Sequence, residues 1–575
     1  MMIKIAPAIV VLSQNSVPLA RQIISILQGG TLYGLAGRTS KVDITFTNFS
    51  ETLRELFAQG TPLIGICAAG ILIRTIAPML SDKKQEPPVL AVAEDGSAVV
   101  PLLGGLNGVN DLARRIAEVL DVKPAITTTG DLRFCTALLS PPPGYHLANP
   151  DDAKKFISDL LAGAQVKLEG TAPWLSNSQL PIDPHGNLTI QVTERLVTPA
   201  PDRLVYHPGT IAVTISDTVD VGLIQQLLAD AALAPASVGG IFADITLAAN
   251  TAIEPIANAF KVPIRFFTSN QLEKFISQGY SPAQAIALMV TGTSGLSSSC
   301  PHVRIAIAPA PIDTSTIGQA RGRLAIIGTG PGNSQWMSPE VREILKSATD
   351  LVGYKTYINL IGSLAEGKQL HESDNREEIT RATMALDLAA TGRYVAVVSS
   401  GDPGIYAMAA AVFEVWDKNP KPEWESIDIH VAPGISAMQA AAAAIGAPLG
   451  HDFCAISLSD ILKPWSIIEQ RIAAAAQADF VIAFYNPVSK DRTWQLTAAR
   501  EILQQYRTPD TPVVLARNLG RPGEGVKVIQ LQELTPDAAD MRTVILIGSS
   551  QTRTIHRRDG TISVYTPRRY TKQKL

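Results

Sequence analysis

One pattern constrains this chain more than any other: a short apolar run that ends in a glycine- or proline-rich turn and passes into a helix. It is clearest at Leu324-Ala325-Ile326-Ile327, which leads into Gly328-Thr329-Gly330-Pro331-Gly332. Ser338 then stands where a helix N-cap belongs, Pro339 at the first helical position, and Glu340 where the helix dipole favours an anion. Strand, glycine turn and helix is the layout of a small-molecule site at the carboxyl end of a parallel strand. The turn is not a P-loop, because no Gly-Lys-Ser/Thr follows, and Asn333 stands where a dinucleotide fingerprint has its third glycine. Asp350 lies near the separation of a ribose-binding acid, but it precedes the next apolar run instead of ending it. Taken alone, this stretch reads equally as a bare structural turn and as a ligand loop.

Two further stretches repeat the pattern. Tyr394-Val395-Ala396-Val397-Val398 runs into Ser399-Ser400-Gly401-Asp402-Pro403-Gly404-Ile405-Tyr406. Ile427 to Val431 runs into Ala432-Pro433-Gly434-Ile435-Ser436-Ala437, and the small-residue run Ala437 to Ile445 follows as a helix. Three such turns, each after a buried strand, can form one crevice at one edge of a sheet.

Length and charge narrow the class. At roughly 150 residues per domain, 575 residues imply about three to five units. The chain is 46% hydrophobic and 18% charged with net charge −3, the balance of a multidomain α/β protein with no bias toward nucleic acid or an anionic membrane. Cys67, Cys135, Cys300 and Cys454 are far apart and form no CxxC, so neither a disulfide framework nor a metal site is expected. The apolar run Ala6 to Leu12 is too short to span a bilayer and has no signal-peptide layout, so a cytoplasmic protein is expected.

Earlier in the chain, Ala8 to Leu12 and Pro62 to Cys67 read as strands, and Val17 to Leu27 as a helix closed by Gly29-Gly30. Val89–Val92 and Ala98–Leu103 frame the acidic turn Glu94-Asp95-Gly96 as a hairpin. Gly104-Gly105-Leu106-Asn107-Gly108 opens a helix to Leu120. Residues 141–203, rich in Pro, Asp and Asn, read as an inserted lobe and linker. The pattern divides the chain into 1–140, 141–203, 204–311, a junction at 312–321, and lobes at 322–444 and 445–575.

From Gly322 to Tyr570 the stretches GTGPGN, VGYKTYI, VVSSGDPGIYAMA, APGISAM, GHDF, ISLSDILKPW and FYNPVSK resemble the tetrapyrrole methylases, with the nearest likeness to the precorrin-3B C-17-methyltransferase branch. The resemblance implies a two-lobed class III methyltransferase fold with S-adenosylmethionine between the lobes. It implies Pro331 on the first loop, Gly401, Asp402, Pro403 and Tyr406 on the second, and Ser436 and Ala437 on the third. Tyr485 and Asn486 would contribute from the second lobe, as would Gly520. The implied substrate is a tetrapyrrole rich in carboxylates, for which Lys355 and Arg376 are the preferred cations, and it is the resemblance of the N-terminal half, given next, that makes a cobalt-bearing form the expected one. Arg381, Lys463, Arg517 and Arg521 are further candidates, each equally suited to surface salt bridging. Methyl transfer to carbon rests mainly on alignment, and His451-Asp452 is the candidate pair for proton handling. A homodimer is expected.

The N-terminal half resembles the cobalt-precorrin-5A hydrolase family through GILIRTIAPMLSDKKQEPPVLAVAEDGSAVVPLL, GGLNGVNDLA, PAITTTGD and, more loosely, VPIRFFTSNQL. That family opens a ring lactone and releases acetaldehyde. Two departures stand out. Leu106 replaces a histidine in the glycine loop, and His207-Pro208-Gly209-Thr210 replaces a glycine-cysteine-arginine loop. Leucine cannot act as acid, base or donor. Two readings therefore stand for this half: an active hydrolase, or a non-catalytic module that binds tetrapyrrole or scaffolds the dimer.

Overall fold

The computed structural model describes residues 6–27, 29–83, 85–296, 300–373, 377–489 and 492–569. The chain forms two compact units, residues 1–321 and 322–575. In the first, strands β1 (Ala8–Val11), β2 (Thr31–Leu35), β3 (Ile44–Phe46), β4 (Leu63–Ile66), β5 (Val89–Val92) and β6 (Val99–Leu103) make a sheet of order β3-β2-β1-β4-β5-β6. All neighbours are parallel except β5 and β6, which form the expected hairpin. β1, β4 and β5 are buried along their whole length, as continuous apolar strands in a parallel sheet should be.

Residues 141–203, read from sequence as an inserted lobe and linker, carry a layer of their own. β7 (Tyr145–Leu147), β8 (Val166–Glu169), β9 (Leu188–Val192) and β10 (Arg203–Pro208) pair in the order β7-β10-β9-β8. Phe156, Leu175, Ile190 and Tyr206 pack beneath them in a separate core. The Pro and Asn residues mark tight turns between short strands here, and the boundary placed at 203/204 falls inside β10. A third sheet follows, with β11 (Ile211–Ile215), β12 (Val238–Asp244), β13 (Ile264–Phe267) and β14 (Val303–Ile307) in the order β13-β12-β11-β14.

The second unit has two lobes. β15 (Arg323–Gly328), β16 (Asp350–Tyr354), β17 (Gln369–Ser373), β18 (Tyr394–Ser399) and β19 (Asp428–Ala432) form an all-parallel sheet of order β17-β16-β18-β15-β19. The adjacent strands β18, β15 and β19 are the three that carry glycine turns, so those turns emerge side by side. The helix Pro339–Ser347 begins as its sequence predicts, with the Ser338 hydroxyl accepting from the Val341 N–H at 3.2 Å.

β20 (Gly446–Ala447) leads into the second lobe. There β21 (Phe453–Ser457), β22 (Val481–Tyr485), β23 (Pro512–Arg517), β24 (Gly525–Gln530) and β25 (Thr543–Ile547) form a mixed sheet of order β21-β22-β25-β23-β24. β26 (Arg553–His556) and β27 (Ile562–Tyr565) close the unit, with β27 pairing β20. The helix Ala437–Ile445 has the expected bounds, but it packs on the second sheet. Met438, Ala440 and Ala441 lie against Ala483, Val514 and Leu546. Its alanine face lets the helix approach that sheet closely, so it belongs to the second lobe and not to the first, where the sequence division placed it. No helix among the described residues is long and apolar enough to cross a membrane.

Candidate active site

The three turns of the second unit interlock through their backbones. Gly401 donates its N–H to the Gly330 carbonyl at 2.7 Å, and Gly330 returns the bond at 3.2 Å. Thr329 adds its N–H and hydroxyl to the Ser399 carbonyl at 2.9 and 3.1 Å. Gly330 and Gly401 both hold positive φ, 78° and 72°. A Cβ at Gly434 would overlap the carbonyls of Gly401 and Gly328. Glycine is therefore required at Gly434 by close approach.

Asp402 ties the second loop to the third. Its Oδ1 accepts from the Gly404 N–H at 2.8 Å and its Oδ2 from the Gly434 N–H at 3.1 Å. Pro403 is buried behind it. Ser436 caps the helix Ala437–Ile445 in a capping box with Gln439, accepting from the Gln439 N–H at 3.2 Å. Pro331 and Ala437 flank this cluster on the first and third loops.

The second lobe reaches the same place. The Tyr485 hydroxyl, at the end of β22, accepts from the Met438 N–H at 3.1 Å. Burial raises its pKa, with smaller opposing contributions from Met438 and Ser436. Tyr406, half exposed and with φ of 53°, sets its ring 5.3 Å from that of Tyr485 and donates to the Ala455 carbonyl at 2.8 Å. A non-glycine residue in the left-handed region is uncommon, and such strain clusters at ligand sites. Asn486, with φ of 51°, donates to the Ser457 hydroxyl at 3.1 Å. Gly520 has φ of 68° and lies against Asn333 of the first loop.

Arg521, expected only as a further cation for substrate carboxylates or a surface salt bridge, has another place. Arg521 donates from Nε to the Pro331 carbonyl at 2.9 Å and from Nη2 to the Ser400 hydroxyl at 2.7 Å. Its guanidinium lies 6.0 Å from the Tyr357 ring centre, and burial lowers its pKa. Its position beside Gly520 in Gly520-Arg521-Pro522-Gly523 was the available signal.

Not every candidate joins the cluster. Lys355 opens the helix after β16, at the same sheet edge as the loops, exposed and 3.6 Å from Glu372. Arg376 lies outside the described residues. Arg381, a candidate for substrate carboxylates, is instead buried, with Nε donating to the Ser373 hydroxyl at 2.7 Å. Arg517 pairs with Asp540 at 2.9 Å. Lys463 stands 5.9 Å from the Tyr406 ring centre. His451 and Asp452 are not brought to the loops: they precede β21, whose opposite end, Ser457, is the one beside Tyr485 and Asn486. Strand polarity separates them, since each residue of β21 adds about 3.3 Å.

In the first unit the loop Gly104–Gly108 lies at the amino edge of the parallel strands. Asn107 donates to the Glu86 carbonyl at 2.7 Å, just before β5. Behind that loop Asn110 and Arg114 donate to Asp131 at 3.1 and 2.9 Å, which joins the GGLNGVND and TTTGD stretches in one paired cluster.

Comparison with known proteins gives two family matches. Residues 323–535 match tetrapyrrole (corrin/porphyrin) methylases, and residues 51–131 match the cobalamin synthesis G N-terminal family. The chain is 49% identical over 249 residues to a precorrin-3B C(17)-methyltransferase of Sinorhizobium sp, covering 43% of this chain and 97% of that protein. It is 48% identical over 253 residues to the cobalamin biosynthesis protein CobIJ of Mycobacterium tuberculosis, covering 43% of this chain and 48% of the relative. The chain thus spans about half the length of that mycobacterial protein. A crystal structure of the methyltransferase CobJ aligns with 43% of the chain and all of its own length, at 49% identity and TM-score 0.41.

Proposed function

The chain belongs to the tetrapyrrole methylases, and from that premise we propose that its C-terminal unit methylates C-17 of a precorrin-3B-type macrocycle with contraction of the ring at C-20. The observation that carries this reading is the interlock of three glycine loops from one lobe with Arg521 and, through the Tyr406 ring, Tyr485 from the other. The 49% identity to a precorrin-3B C(17)-methyltransferase supports the choice of carbon.

The methyl donor is S-adenosylmethionine, which when bound supplies an electrophilic methyl group on a sulfonium. The residues fit such a molecule. The three loops 329–333, 400–407 and 433–436 carry one acid, Asp402, and no Lys or Arg of their own. The buried Ser399 hydroxyl at the end of β18 has no hydrogen-bond partner among the described residues. Pro331, Gly401, Asp402, Pro403 and Tyr406 hold the donor together with Ser436 and Ala437 of the third loop, and Tyr485, Asn486 and Gly520 face them from the second lobe. Lys355 and Arg376 receive substrate carboxylates. Alignment within this frame supplies much of the rate.

The N-terminal unit is a hydrolase that opens the lactone of cobalt-precorrin-5A, a reading supported by the match at residues 51–131. Lactone opening belongs to a cobalt-early, oxygen-independent route, so the substrate of both units is cobalt-bearing. The protein acts as a homodimer in the cytoplasm. Calorimetry of the full chain with S-adenosylmethionine tests the methylase reading. One molecule bound per chain is expected, and a folded chain that binds none overturns it. Turnover on the metal-free macrocycle with none on the cobalt form overturns the metal assignment.

A further inference from the structure

A crevice of about 440 Å³ opens in the first unit at the carboxyl ends of β1, β4 and β5. The strand order β3-β2-β1-β4-β5 reverses direction between β1 and β4, and ligands of open α/β sheets bind at that switch point. Its volume lies within the usual range of small-molecule sites, about 300 to 1,000 Å³. Leu12, Ile66 and Ile71 give it apolar walls, and Cys67 and Glu94 are its polar members.

Two chemical groups line it, and a third stands on the helix at its border. Glu94 is held by two hydroxyls, Ser13 at 2.7 Å and Ser16 at 3.0 Å, both donating to Oε1. Its Oε2 accepts no hydrogen bond from the described residues. Across the crevice the helix Ala69–Ile76 begins at Ala68, which offers no side-chain cap; the Ile71 N–H donates to the Ala68 carbonyl at 2.9 Å, which leaves the Ala69 and Gly70 amides at the helix start. Arg74, one turn on, carries its guanidinium 3.6 Å from where a Cβ of Gly70 would stand. A carboxylate, paired amides at a helix start and a guanidinium are the parts that acyl hydrolysis uses: a proton acceptor, an oxyanion site and an anchor for a substrate carboxylate.

Resting on the reading of the N-terminal unit as a hydrolase, we propose that this crevice is its reaction site, taking a carboxylate-bearing lactone with Glu94 as the proton acceptor. A water oxygen bonds to the lactone carbonyl carbon while its proton passes to Glu94 Oε2. The ring C–O bond then breaks and the leaving alkoxide takes the proton back, which adds one water. The freed alcohol next gives up its O–H proton as its C–O bond becomes C=O and the carbon–carbon bond to the macrocycle breaks, the electron pair and the proton passing to the ring, so that one water is consumed and one acetaldehyde is released. The glycine loop carrying Leu106 lies at the opposite edge of the same sheet, beside Glu86. Leu106 therefore does not remove a group from the site. The Asn110–Asp131–Arg114 cluster near that loop has its polar atoms paired with one another and braces the fold.

Cys67 makes occupancy readable. Burial, with Glu94 nearby, pushes its thiol up to about 11, so alkylation is run slowly at alkaline pH, with exposed Cys135 as reference. The full chain is given lactone-bearing cobalt-precorrin-5A, and both acetaldehyde and Cys67 labelling are measured. The substrate should protect Cys67 and not Cys135. Glu94→Gln should cut acetaldehyde release at least about a hundredfold with protection retained. Leu106→His should change neither, and Arg74→Gln should raise the concentration needed for protection. Acetaldehyde release without Cys67 protection, or a Glu94→Gln chain as fast as wild type, overturns this site while the hydrolase reading stands. A wild-type chain that releases no acetaldehyde overturns the hydrolase reading and the role of Glu94, and Cys67 protection alone then decides whether the crevice binds.

Discussion

Arg521 of the second lobe donates to the carbonyl of Pro331 on the first loop at 2.9 Å, across 190 positions of sequence. The same guanidinium holds the Ser400 hydroxyl at 2.7 Å, so one side chain from one lobe fixes two loops of the other. The planar fork presents Nε and Nη2 in fixed directions toward the two acceptors, whereas an ammonium is a point charge on a flexible stem. Arg521→Ala is therefore expected to weaken S-adenosylmethionine binding about tenfold, ~1.4 kcal/mol. Arg521→Lys should recover less than half of that free energy. Calorimetry measures both, with circular dichroism to establish folding, and an unchanged affinity in the alanine variant would sink the clamp.

Asp402 makes a second link, between the Gly404 and Gly434 amides. Hydrogen bonds to a charged group contribute about 1.5–3 kcal/mol, and Asp402→Ala loses both. Cofactor affinity should fall about ten- to a hundredfold with the lobe still folded. Asp402→Asn retains one acceptor and should fall between. Tyr406→Ala should weaken binding by a similar factor through loss of the ring against Tyr485. Normal binding by both alanine variants would show that the loops hold something else.

Much of this site was legible because its signals are local. Buried parallel strands read as continuous apolar runs, and positive φ at Gly330 and Gly401 follows from tight turns. The helix Ala437–Ile445 announced its bounds through Ser436 and Gly446. What stayed hidden depends on neighbours distant in sequence. Gly434 must be glycine because of Gly401 and Gly328, and nothing beside it in the chain says so. The same helix's partner sheet was hidden because an alanine face suits either lobe. His451-Asp452 looked chemical from residue type alone, and strand polarity decides its place. In the first unit the glycine loop drew attention through its composition, whereas Glu94 gains its setting from Ser13 and Ser16, about eighty positions away.

Gly434 supplies a sharp steric test. A methyl group there would meet two carbonyl oxygens of the backbone, which cannot move without breaking the Gly330–Gly401 bridge. Overpacking of this kind costs about 1–3 kcal/mol, occasionally more. Gly434→Ala should lower the midpoint of urea unfolding and abolish S-adenosylmethionine binding. Gly525→Ala, where a Cβ meets nothing within 4 Å, should do neither. Equal behaviour of the two variants would contradict the close approach of the loops.

Asp350 predicts an acid dependence of stability. It is the first residue of β16, is 1% exposed, and lies at the sheet edge opposite the loops, which removes it from any ribose-binding role. His371 Nε2 and Arg393 Nη1 reach its Oδ1 at 2.8 and 2.7 Å, and the Thr349 hydroxyl reaches Oδ2 at 2.7 Å. Burial alone would raise its pKa, but the hydrogen bonds from His371, Thr349 and Arg393 outweigh burial and hold it below the ordinary value. A carboxyl whose folded pKa is lowered adds stability above its unfolded pKa, near about 3.9, and loses it as pH falls through the folded value. Asp350→Asn should thus destabilise the unit at pH 7 by about 3 kcal/mol, the low end for a broken buried pair because Arg393 is half exposed. Urea unfolding at descending pH should bring wild type down toward the variant below about pH 4, because at position 350 only the wild type has a carboxylate to protonate. A difference between the two proteins that stays constant from pH 7 to pH 3 would show that Asp350 braces β16 by packing and not by charge.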